Sequence, residues 1–67
     1  MSKLYFRVVE GRDGLWLCRR GRTVIDCHDT REAAITHMSL LAGANRPSEV
    51  FVHSGDGNVE VAASFIE

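Results

Sequence analysis

Five side chains in this sequence are of types that bind metals or act as nucleophile and base: Cys18, Cys27, His28, His37 and His53. A zinc site usually gathers its ligands at short spacings. These five are spread over three strand-like segments and a helix, so the expectation is ordinary core or surface residues, with no metal and no cofactor. Cys27 and His28 are neighbours, and neighbours on a strand point to opposite faces. They cannot therefore work as a hydrogen-bonded nucleophile and base. No catalytic residue is assigned, and the chain reads as a non-enzyme. Two cysteines outside any Cys-x-x-Cys motif make no disulfide framework.

Two further groups remain. Gly55 and Gly57 are followed by a strand pattern, whereas a phosphate-cradling glycine loop needs a helix N-terminus after it. They read as a hairpin turn. Arg19, Arg20 and Arg22 form the basic cluster. With Trp16 nearby they could grip phosphate and stack a base. The bland counterpart is a solvated hairpin whose charge discourages edge pairing. The sequence pI near 6.3 also falls well short of a basic nucleic-acid footprint.

The elements that must carry these residues are organised around 29–43. Asp29 and Thr30 both suit an N-cap, and Asp29 with Glu32 has capping-box spacing. Gly43 suits a helix stop, and Pro47 forbids continuation. Ala34, Met38, Leu41 and Ala42 recur at helical spacing, with Ile35 widening the apolar stripe. Before this helix, 3–9 alternates as a strand with Leu4, Phe6 and Val8 on one side. Gly11–Gly14 is a turn. Leu15–Arg19 is a second strand, apolar on both faces, and Thr23–His28 a third. With Arg20 and Gly21 as the loop, Arg19 pairs with Arg22 and Cys18 with Thr23. Cys27 then falls opposite Gly14. After the helix, Glu49–His53 and 59–65 are strands joined by the Asp56-Gly57 turn.

The chain of 67 residues is one domain, 1–67, and is ordinary for a globular protein at 45% hydrophobic and 25% charged. It offers no run of the ~20 apolar residues that span a membrane. It also lacks the apolar core of a signal peptide, so the expected location is cytoplasmic. The net charge of −1 conceals an asymmetry: residues 1–31 are net basic and residues 32–67 net acidic. In a domain this small the halves interleave, and a mixed surface is the expectation.

Val8-Val9, the Trp16 strand, Asp29-Thr30 followed by Ala34, Val52-His53, Asp56-Gly57 and Ser64-Phe65 together carry a resemblance. Over nearly the whole chain the sequence resembles the small bacterial family catalogued as domain of unknown function 2188. Three positions depart from that family's habit. Leu15 stands where a Gly usually precedes the Trp, Ala33 replaces an acidic residue, and Val59–Ser64 lacks basic residues. The resemblance implies a fold and no particular activity.

The sequence thus points to an α+β fold, an antiparallel sheet in the order β-β-β-α-β-β with one helix packed on one face. The functional expectation is a small non-catalytic binding or accessory module that associates as a homodimer. Leu15, Trp16 and Leu17 are its candidate contacts, because one helix cannot cover both apolar faces of that strand. The alternative is weak nucleic-acid binding through the hairpin Arg19–Arg22, with Arg19, Arg20, Arg22 and Trp16 as contacts.

Overall fold

The computed structural model describes residues 3–66. Five strands and one helix follow in the expected order: β1 (Leu4–Glu10), β2 (Trp16–Arg20), β3 (Thr23–His28), α1 (Arg31–Ala44), β4 (Ser48–His53) and β5 (Val59–Phe65). The strands form one sheet in the order β3-β2-β1-β4-β5.

The sheet is mixed, which corrects the all-antiparallel expectation. β1 and β4 are parallel, with Phe6 beside Val50 and Val8 beside Val52. The other three pairings are antiparallel. Parallel neighbours need a long connection, usually a helix. Here α1 carries the chain from the β3 edge across β2 and β1 to β4. Local pattern does not reveal this, because alternation along a strand is blind to the direction of its neighbour.

Thr30 is the N-cap of α1. Its hydroxyl accepts from the Ala33 amide at 3.1 Å. Gly43 is not the helix stop: α1 runs to Ala44, and Asn45 caps it by donating from its backbone to the Ala42 carbonyl. Asn45 also donates from its side chain to the Leu41 carbonyl at 2.8 Å. Two orphan acceptors of the last turn are thus served without a left-handed glycine.

One face of α1 buries Ala34, Met38 and Ala42 completely against Phe6, Val8, Cys18, Val50 and Val52. Leu4, Trp16, Ile35, Leu41, Ala63 and Phe65 pack around this centre, half-buried. Ser48 is the buried polar residue, and its hydroxyl donates to the Ala42 carbonyl at 2.6 Å. That bond ties the end of the helix to the start of β4.

Both edge strands carry a bulge. In β3, Cys18 pairs with Asp26 but Arg19 with Val24, which leaves Ile25 as an extra residue. In β5, Val50 pairs with Ala63 and Phe51 with Val61, which leaves Ala62 extra. The β2–β3 loop is Gly21-Arg22, because Arg20 pairs with Thr23. The expected pairings of Arg19 with Arg22 and Cys18 with Thr23 are therefore corrected. Gly21 takes φ 58, and a glycine meets that value without a Cβ penalty. Cys27 lies opposite Leu17 rather than Gly14, and both cysteines are free thiols.

Candidate functional site

The helix covers one face of the sheet. The register shows what the other face displays, since side chains paired across strands share a side. Two rows cross all five strands there. One runs Cys27, Leu17, Val9, His53, Val59; the other runs Val24, Arg19, Arg7, Phe51, Val61. The first row is apolar except for His53. The second has two arginines at its centre and apolar ends.

Arg7 and Arg19 are direct cross-strand partners. Arg7 lies over the Phe51 ring, 5.2 Å from its centroid, and donates from Nη1 to His53 Nε2 at 2.8 Å. A guanidinium can only donate, so Nε2 must keep its lone pair. Burial lowers the His53 pKa below its usual value, and the charges of Arg7 and Arg19 lower it further. The Nε atom of Arg19 is buried without a hydrogen-bond partner among the described residues. Tyr5 extends the aromatic surface, its ring 5.8 Å from that of Phe51. At the border, Lys3 pairs with Glu49 at 3.3 Å.

The candidate residues from the sequence are distributed as follows. Arg19 is on the helix-free face, Arg20 is exposed on the helix side opposite Phe6 and Thr23, and Arg22 is in the turn. They do not converge on one point. Trp16 is half-buried against the core on the helix side, at the far end of β2 from the arginine turn. Leu17 is central in the apolar row. Leu15 precedes β2 and joins Leu17 and Cys27 in lining a shallow hollow of about 320 Å³. Arg7 is a neighbour that the sequence could place beside the arginine hairpin, but its meeting with Phe51 was missed, because that depends on the parallel β1–β4 pairing.

On the helix side, the fold brings together residues that look scattered in sequence. Cys18, Asp26 and His28 have ligand-type atoms all within 4.8 Å of one another. His37, from α1, adds its Nδ1 at 3.0 Å from Asp26 Oδ2 and 3.2 Å from His28 Nε2. Burial pushes the Cys18 thiol up to about 12, with the charge and hydrogen bond of Asp26 and the neighbouring Cys27 adding to it. That value keeps the free thiol protonated and unreactive at neutral pH.

No helix of the described residues is long and apolar enough to cross a membrane. No curated protein and no solved structure matches the chain. The profile of one family, described as an uncharacterized protein conserved in bacteria, matches residues 6–65. That span takes in the helix, four whole strands and β1 from Phe6 onward, with the arginine pair and the apolar row, so this chain belongs to the bacterial family of domain of unknown function 2188.

Proposed function

We propose that this is a small non-catalytic binding module whose working surface is the helix-free face of its sheet, with a second copy of the chain as its occupant. The observation that supports this is the unbroken row Cys27, Leu17, Val9, His53, Val59. Five strands spaced at about 4.8 Å make that row roughly 19 Å across. The helix packs on the other face; Val9, Leu17 and His53 are half-buried, and Val59 is 53% exposed at the end of the row. A domain of this size buries only about 60% of the surface its chain could expose, so covering the row adds stability that the monomer lacks. A two-fold axis through the row packs Leu17 and Val9 against their copies and leaves the arginine rows to either side. A neutral His53 fits such a contact. The two free thiols agree with a reducing, cytoplasmic setting.

Static light scattering at micromolar concentration tests this reading. Wild type should scatter as about twice 7.4 kDa and the Leu17→Lys variant as 7.4 kDa. A wild type that stays at the monomer mass sinks the proposal.

A second reading has its own support in the Arg7–Arg19 pair. Like charges directly opposite each other in a sheet are unfavourable. An anion between them relieves that repulsion and could give Arg19 Nε an acceptor. Phe51 and Tyr5 beside them offer stacking faces. Weak single-stranded nucleic-acid binding follows on this reading. Its site is the face of the sheet rather than the hairpin tip Arg20–Arg22.

A further inference from the structure

The cluster on the helix side takes no part in either reading. His28 Nε2 lies 3.2 Å from Asp26 Oδ1, His37 Nδ1 lies 3.0 Å from Asp26 Oδ2, and the two ring nitrogens are 3.2 Å apart. Three mutually close polar groups are hard to satisfy with protons alone. If both nitrogens carry hydrogen, they face each other as two donors. If only one does, a carboxylate oxygen goes without. Asp26 Oδ1 is indeed buried and makes no hydrogen bond of sound geometry, despite the nearby nitrogen.

A cation at the centre of the group satisfies all of it at once. Ligand atoms each about 2.0 Å from a tetrahedral zinc ion lie about 3.3 Å from one another. The separation of the two ring nitrogens, 3.2 Å, is close to such an edge, and each nitrogen also reaches the Asp26 carboxylate, at 3.2 and 3.0 Å, through a different oxygen. Cys18 Sγ approaches from the buried side, within 4.8 Å of the Asp26 and His28 ligand atoms.

We propose that Asp26, His28, His37 and Cys18 form a binding site for a divalent transition-metal ion of the zinc type. Two neutral imidazoles, one carboxylate and one thiolate carry two negative charges and neutralise the ion in a half-buried place. On binding, the Cys18 thiol releases its proton to solvent and the sulfur becomes the fourth ligand. The site joins three elements: β2 supplies Cys18, β3 supplies Asp26 and His28, and α1 supplies His37. It is closed by protein ligands, so its role is to pin the bulged edge strand to the helix rather than to activate water.

The experiment is a Co2+ titration of the untagged protein, followed by Zn2+ competition and thermal unfolding. It is run in a Cys27→Ser background to remove the exposed thiol. The expected result is one ion per chain, with the visible bands of tetrahedral Co2+ and a near-ultraviolet thiolate-to-cobalt band. Zn2+ should displace the Co2+ and raise the melting temperature. The His37→Ala change is on the half-exposed helix side and should leave the fold intact. It should weaken Co2+ binding at least tenfold and remove the Zn2+-dependent rise. The Cys18→Ser change should remove the charge-transfer band. No Co2+ bands at micromolar protein, or bands unchanged in His37→Ala, overturn the site. Visible bands without the thiolate band overturn the place of Cys18 in it.

Discussion

Arg7 and Arg19 stand directly opposite each other on adjacent antiparallel strands, on the side of the sheet that the helix does not cover. Their neighbours do not neutralise them. Arg7 leans on the Phe51 ring and donates to His53, and Arg19 keeps a buried Nε without a hydrogen bond. Removing one charge should therefore cost the fold little. Arg19→Gln should leave the urea midpoint unchanged or raise it slightly, within about 1 kcal/mol, the scale of a cross-strand pair. A large loss of stability would show that Arg19 has a structural partner.

The same pair decides the nucleic-acid reading. Fluorescence anisotropy with labelled single-stranded DNA and RNA at two salt concentrations should show only weak binding, in the non-specific range of roughly 10⁻⁴–10⁻⁶ M. Arg7→Gln and Arg19→Gln each take away one cation that can grip a phosphate. Each should reduce the slope of log K against log salt by about one. An equal reduction from Arg20→Gln and Arg22→Gln alone would move the site to the hairpin tip.

His53 makes a pH prediction. Its folded pKa is lowered, chiefly by burial and then by Arg7 and Arg19, from the usual 6.5. A depressed pKa means that the folded state resists protonation. The stability held by neutral His53 is therefore complete above about 6.5, and it is lost as pH falls from there through the folded pKa. If the apolar row is a dimer contact, association should weaken over the same window. His53→Gln should flatten the part of the stability-versus-pH curve between pH 6.5 and the folded pKa. An unchanged curve would show that His53 is not its source.

Met38 is fully buried at the centre of the helix–sheet contact. Met38→Ala should cost about 2–5 kcal/mol, which in a domain of this size approaches the whole stability. Leu41 sits half-buried at the margin of the core, so Leu41→Ala should cost less. Urea midpoints compare the two. A greater loss at Leu41 would mean that α1 is rotated about its axis.

The N-cap discriminates between two adjacent residues. Thr30 accepts from the Ala33 amide, whereas Asp29 is exposed and makes no cap. Thr30→Ala should lower stability by about 0.5–2 kcal/mol. Asp29→Ala should stay within about 0.5 kcal/mol. The reverse order in thermal unfolding would reassign the cap.

Short-range physics made part of this molecule legible in its residues. The helix and its start at Thr30, its apolar face on Ala34, Met38 and Ala42, and the Asp56-Gly57 hairpin all rest on capping, periodicity and turn residues within a few positions of each other, whereas its end at Asn45 rather than Gly43 was not legible. The order of elements and the membership of the family were equally legible, because they need only the pattern along the chain. The direction of β4 beside β1 came from the folded sheet alone, and with it the meeting of Arg7 with Phe51 and His53. So did the side on which Asp26 and His28 fall. Side chains alternate with a period of two, so one extra residue turns every later side chain of the strand over. The bulge at Ile25 is that residue. It turns Asp26 and His28 toward the helix, where His37 and Cys18 meet them, and it leaves Cys27 on the opposite face. No local pattern encodes such a slip, because it is set by the pairing of two strands across the sheet.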